Sequence, residues 1–506
     1  MRPLFAGLAL FIAPLLPANP WLENVRAVRS AQQQELIAEY REFCAIPNVS
    51  GDQANIRRNA EFIVAMMKKR GIAAELLEGH SRATNPAVFG EVKAPGATAT
   101  VVFYAHYDGQ PVNAAQWAAG LQPFNPVFIT APIERGGKIL EWQPGQPIDL
   151  TWRMSGRGTA DDKAGVFAIL NGYDALVRAG LSPKVNVKFF FEGEEEIGSV
   201  HLRDLLQIHR AKLQSDLWII ADGPRHVSGR KVVQFGVRGD INLELTAYGP
   251  KRPLHSGNYG NWAPNPAHRL VTLLASMKDD DGRVLVPGFY DDYVQFSESE
   301  RLAMREASFT DEALMRELGL NRTEVPGRSL LEGFELPSLN INGIQSANVG
   351  RLAANIIPTT ARATLDLRLV LGNDWQRQVN RIVDHIKAQG WHVLDREPTD
   401  EERLAHPKLI QVGWGKGYNA QRTPMNSPLA RAVVAAVAGS TDDPIVKLPT
   451  LGGSLPLIVI EEELGAKIIT VPVVNYDNNQ HAENENVRLN FLFEGIDTFA
   501  ALMRLE

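Results

Sequence analysis

Four short apolar runs recur along the chain, and each ends in polar residues capable of chemistry. Residues 98–105 lead to His106, 185–191 to an acidic run, 216–221 to Asp222, and 466–474 to a polar loop containing His481. Runs of this length and apolarity predict buried strands. Between the first two, residues 162–180 place Val166, Ile169, Leu170, Tyr173, Leu176 and Val177 at the spacing of one helix face. Residues 32–43 and 55–70 are helical by the same test, with Ile56, Phe62, Ile63 and Met66 on one side. Strands alternating with helices predict an α/β domain, in which ligands gather at the carboxyl ends of the strands. All four polar endings fall at that end.

From Val237 to about Arg422 the pattern changes. Residues 241–247 and 359–370 alternate apolar and polar, as half-exposed strands do, and long helical stretches lie between and after them. This predicts an inserted α+β domain. The first domain resumes near Asn426, where Leu429, Val433, Val434 and Val437 form a helix face. No internal repeat or low-complexity segment breaks the chain.

At 506 residues the chain is long enough for two or three domains. Its net charge of −6 and lack of a basic block argue against non-specific nucleic-acid binding. A single cysteine, Cys44, excludes an intrachain disulfide and a thiolate metal cluster, so any metal must be held by His, Asp and Glu. Met1-Arg2 followed by an apolar stretch over 4–16 and Pro17-Ala18-Asn19-Pro20 predicts a signal peptide over 1–18 and an exported, periplasmic or secreted protein. No later stretch approaches the roughly 20 apolar residues of a membrane span.

The acidic run, Glu192-Gly193-Glu194-Glu195-Glu196, puts four carboxylates in five residues at the end of an apolar strand. Such charges repel, and burying them unpaired costs several kcal/mol, so a divalent cation or full solvation must relieve them. In His106-Tyr107-Asp108, the Asp can hold one imidazole nitrogen and leave the other for a metal. Asp161 opens a helix after Gly156-Arg157-Gly158, where it either caps the helix or serves as a ligand. The absence of Gly-Lys-Ser/Thr there excludes a phosphate loop. Two imidazoles and three carboxylates at strand ends suit two divalent ions about 3.5 Å apart, one carboxylate bridging them.

On these five motifs, in this order, the chain resembles the M20 metallopeptidases, in the branch of carnosine-type and bacterial dipeptidases. The resemblance implies an α/β fold: a zinc-peptidase-type catalytic domain with a mixed sheet flanked by helices, plus an inserted α+β lid or dimerisation domain. The expected divisions are a leader over 1–18, catalytic domain over 19–237 and 423–506, and lid over 238–422. It also implies roles. His106 and Asp222 would complete one metal site, Glu196 and His481 the other, and Asp161 would bridge them. Asp108 would orient His106, and Glu195 would be the general base. His255, in Leu254-His255-Ser256-Gly257, would stabilise the oxyanion, within its own chain or across a homodimer formed by the lid. Arg368 would grip the substrate carboxylate, and Gly453 and Ser454 would contact substrate.

The two ions expected are Zn²⁺, with Mn²⁺ or Co²⁺ as alternatives. The substrate expected is a dipeptide or short peptide with a free carboxylate. The competing readings are a deacylase of N-acylated amino acids on the same core and a non-catalytic exported binding protein. Ala105, Ala164, Thr450-Leu451 and Ala482 depart from the family pattern without removing a ligand. The Thr450-Leu451 change bears on substrate preference, because that loop faces the pocket.

Overall fold

A computed structural model describes residues 20–506 apart from 82, 144, 308–310 and 456. The expected leader over 1–18 lies outside the described residues. Helices α1 (Pro20–Ala31), α2 (Gln33–Ala45) and α3 (Gln53–Lys69) come first, followed by strands β1 (Ala74–Leu77), β2 (Ala87–Val92) and β3 (Thr100–His106). Helix α4 (Lys163–Arg178) precedes β4 (Asn186–Glu192), β5 (Leu217–Ile220) and β6 (Val232–Gln234).

The chain then builds a second sheet from β7 (Gly239–Tyr248), β8 (Ser338–Gln345), β9 (Thr360–Leu369), β10 (His392–Leu394) and β11 (Leu409–Trp414), backed by α5 (Pro266–Ala275) and α6 (Trp375–Ala388). It returns through α7 (Pro428–Ala438), β12 (Val446–Leu448), β13 (Lys467–Thr470) and the final helix α8 (Leu489–Leu502).

The first sheet has eight strands in the order β1-β2-β4-β3-β5-β13-β6-β12. Its centre is parallel and its flanks add antiparallel pairs, so the expected mixed sheet is observed. Phe103 pairs with Phe189 and His106 with Glu192, while Tyr104 pairs with Ile220 and Ile220 with Thr470. That register brings His106, the acidic run, Asp222 and the segment after β13 to one edge. The central strands are apolar because both faces are covered. Phe103, Phe189 and Phe191 point into the core beneath α4 and α8; Tyr104, Phe190 and Trp218 point into the core on the other face.

Helix α4 departs from the expected single apolar face. It is buried on all sides from Lys163 to Leu176, because α1, α2 and α8 surround it on the sheet, and Val177 is exposed beyond them. Gly172 allows the α8 backbone to approach: a Cβ there would meet Ala500 N and Ile496 O at 3.0 Å.

The second sheet runs β8-β9-β7-β11-β10. Ile241, Leu243, Leu245 and Ala247 face its core together with Ala361, Ala363, Leu365, Leu367 and Leu369. Asn242 and Glu244 on the alternate positions are exposed, the one-sided burial that the alternation predicts. No helix among the described residues is long and apolar enough to cross a membrane.

Candidate active site

At the shared edge, His106 Nε2 lies 2.9 Å from Asp161 Oδ1 and 4.0 Å from Asp222 Oδ1. The other Asp161 oxygen is 3.0 Å from His481 Nε2, which is 3.2 Å from Glu196 Oε2. Two triads result, His106-Asp161-Asp222 and Asp161-Glu196-His481, each with its ligand atoms within 4.8 Å of one another. Asp161 belongs to both. Asp222 Oδ1 is buried with no hydrogen bond among the described residues, and Asp161 Oδ2, also buried, faces only the His481 ring at 3.0 Å. Buried carboxylate oxygens without donors call for a cation, so these residues fit two divalent ions held by N and O ligands. His481 sits in the left-handed region at φ 62°, between Asn479 and Asn484 in the same conformation. A β-carbon disfavours that geometry, and here the strained loop presents the imidazole to the site.

The ligands are held by a second set of buried groups. Asp108 Oδ1 lies 3.3 Å from His106 Nδ1. Asp108 also accepts hydrogen bonds from Ser50 Oγ (2.8 Å) and the Glu195 and Glu196 amides. It therefore fixes both the first histidine and the acidic turn. The turn is a single 3₁₀ turn over Glu195–Ile197. A neighbouring four-stranded sheet pairs Asn486 with Ser155, setting Glu485 against the loop before α4. Glu485 accepts from Arg157, Gly158 N, Ala160 N and Asp161 N at 2.6–3.1 Å.

Sequence reasoning missed Glu485, Ser50, and Gln110, which donates to Glu196 Oε2 at 2.7 Å. No local pattern marks any of them. Glu192 and Glu194, given no role by the sequence, are buried. Tyr104 donates to Glu192 at 2.7 Å, and Glu194 accepts from Asn85 N and pairs with His201 at 2.9 Å. His201 thus has a partner that its sequence context did not reveal.

The remaining candidates lie farther along the chain. Arg368 is clasped by Asp366 (3.1 Å) and Asp240 (3.4 Å). Gly453 O accepts from Arg238 N, and Ser454 Oγ donates to Gly239 O at 3.2 Å, tying their loop to the start of β7. Tyr418 pairs through its backbone with Asp240. Burial raises the Tyr418 phenol, helped by the charges of Asp240 and Glu195. His255 stands exposed on the lid, its Nδ1 accepting from Gly257 N, and it joins neither triad.

Residues 102–505 match the model of peptidase family M20/M25/M40. The chain belongs to this family. It is 25% identical over 494 residues to the Cys-Gly metallodipeptidase of Schizosaccharomyces pombe, covering 94% of this chain and 97% of that one. It is 25% identical over 510 residues to the human Beta-Ala-His dipeptidase, covering 96% and 92%. Its fold matches the crystal structure of an M20 family metallo-carboxypeptidase from Sulfolobus solfataricus with TM-score 0.75, 25% identity, and 93% and 99% of the two chains covered.

This M20 metallopeptidase concentrates its acidic charge where cations would lie. Burial raises Glu195 well above the carboxylate range; His106 opposes the rise, and the charges of Asp222, Glu196 and Asp161 add to it. Burial and Asp161 push Asp222 up to about 7. Asp161 goes the other way: burial is outweighed by hydrogen bonds from His106 and His481, which hold it below the usual range. Glu195 lies 3.8 Å from His106 Nε2 yet is absent from both triads. A carboxylate beside the ligands but not among them is placed to handle a proton.

Proposed function

We propose that the chain hydrolyses the amide bond of dipeptides or short peptides bearing a free C-terminal carboxylate. The observation that carries the reading is the pair of triads sharing Asp161 with Glu195 beside them, outside both. The names of the relatives, both dipeptidases over nearly their whole lengths, support the substrate class. Two divalent ions, with zinc the best match to this donor set, would supply Lewis acidity and a water that ionises near neutral pH.

Glu195 takes the proton of the attacking water and delivers it to the leaving amine. Asp108 keeps His106 in the tautomer whose Nε2 faces Asp161. Ser454 and Gly453, with Arg368, hold the carboxylate and fix the scissile bond. His255 hydrogen-bonds the oxyanion from the lid of a second copy, since in its own chain it stands exposed and outside both triads. The edge strand β8 is the surface for such pairing: residues 340–345 are exposed, with Ile341 and Ile344 among them. The leader motif supports export, which N-terminal sequencing of the mature protein checks.

The deciding experiment is a screen of dipeptides and N-acylated amino acids with zinc, manganese or cobalt, using Glu195→Ala as the control. Hydrolysis of dipeptides that Glu195→Ala lowers by about 10³-fold or more, with metal content unchanged, is expected. Activity confined to acylated amino acids would replace the dipeptidase reading with the deacylase one. A chain that binds metal and substrate without turnover would be a binding protein.

A further inference from the structure

Behind the Gly452-Gly453 turn lies a cavity of about 400 Å³ that the reaction outlined above does not use. One wall is the edge of the catalytic sheet, where Val232 and Gln234 of β6 share a face beside Leu448 of β12. The facing wall is Leu331 and Phe334, packed against the cluster that contains Val232 and Leu448. The rim residues are chain neighbours of the candidate site. Pro224 follows Asp222 by two residues, Tyr476 lies in the loop that leads to His481, and Gly453 adjoins Ser454. Phe334 also supports the turn, because a Cβ on Gly452 would stand 2.4 Å from its ring. Only glycine permits that approach.

The walls are mostly apolar, and two lining residues carry a buried side-chain atom without a hydrogen-bond partner among the described residues: Arg225, whose guanidinium is otherwise held by Glu494, and Gln234. Gln234 is 3% exposed, and its amide oxygen has no hydrogen-bond partner among the described residues. A buried oxygen without a donor is costly, and a ligand that supplies one removes the cost.

We propose that this cavity is a side-chain subsite for a bulky, largely apolar group with a hydrogen-bond donor near its tip, the tyrosine or tryptophan class, on the carboxylate-bearing residue of the substrate. Gly453 lies on the rim, and with its neighbour Ser454 it would hold that carboxylate, so the side chain of the same residue is the one within reach. The inference rests on the hydrolase reading above and names its substrate class.

The test is a kcat/KM series on the metal-loaded full chain with Ala-Gly, Ala-Phe, Ala-Tyr, Ala-Trp and Tyr-Gly. Ala-Tyr and Ala-Trp should exceed Ala-Gly by about tenfold or more, with Ala-Phe between them and Tyr-Gly near Ala-Gly. Leu331→Trp, at a half-buried position, should fill the cavity and bring Ala-Tyr down to the Ala-Gly level, leaving Ala-Gly within about twofold. Gln234→Leu, close in size, should make Ala-Tyr and Ala-Phe equal, and it tests the pocket even if Leu331→Trp does not fold.

A flat wild-type series, or a preference that follows Tyr-Gly instead, overturns the subsite while hydrolysis stands. So does a folded Leu331→Trp protein that slows Ala-Gly as much as Ala-Tyr. If no dipeptide is cleaved, the dipeptidase reading falls, and the same side chains as N-acetyl amino acids decide the pocket by the same outcomes. No hydrolysis of either series overturns both.

Discussion

At the sheet edge, four of the five candidate ligands are buried or nearly so, and each is held by a second side chain or amide, or by strand register. In the lid, His255 is exposed and Arg368 is already paired with two carboxylates. The contrast separates two tasks. Holding ions requires ligands fixed before the ions arrive, because unpaired carboxylates brought together repel. Binding substrate requires groups that engage after it enters, so those groups stay exposed or provisionally paired. The two triads are therefore assembled within one chain, whereas on the proposed reading the substrate end is completed by substrate and, for His255, by a second copy.

Breaking the metal end at its shared member should have the largest effect. Asp161→Asn leaves one carbonyl oxygen where two carboxylate oxygens face two triads. Elemental analysis should show metal falling below about one ion per chain, and kcat/KM should drop by about 10³-fold or more. Retention of both ions would show that Asp161 does not bridge.

His255→Ala probes the lid and should cost less. Metal content should stay at the wild-type level while kcat falls by about 10²–10³-fold, the scale of a lost oxyanion donor. Mixing and reassembling it with Glu195→Ala chains should restore roughly a quarter of wild-type activity, because half of random dimers carry one complete site of two. Failure to restore activity would place His255 in its own chain's site.

The same contrast governed what could be read from the sequence. His106, Glu196, Asp222 and His481 were legible because each follows an apolar run, and parallel strands must end together. Asp161 was legible as a helix-opening residue. Glu485 was not, because the loop it clamps lies more than 300 residues earlier and only the pairing of Asn486 with Ser155 joins them. The 3₁₀ turn at Glu195 was hidden for a similar reason: Asp108, on another strand's loop, bends it by accepting its amides. Arg368 matched a motif, but Asp240 reaches it only across the β7–β9 pairing that no periodicity reveals.

Glu485→Gln tests whether that hidden support matters. A neutral amide replaces a carboxylate that accepts from one guanidinium and three backbone amides, so the loop carrying Asp161 loosens without losing a ligand. Metal affinity should weaken by about 10–100-fold, measured by competition with a chelator. The effect should lie well below that of Asp161→Asn, and an equal loss would mean that Glu485 contributes more than position.

The smallest expected change is a gain. Asp366 competes with an incoming carboxylate for the Arg368 guanidinium, and a half-exposed ion pair of this kind is worth about 0.2–1 kcal/mol. Asp366→Asn should free Arg368 and lower KM about twofold to fivefold for a dipeptide with a free carboxylate, with kcat unchanged. The corresponding dipeptide amide, which lacks the charge, should show no such gain. Equal KM shifts for acid and amide would show that Arg368 serves the lid's own ion pairs, and carboxylate binding would pass to the Ser454 loop alone.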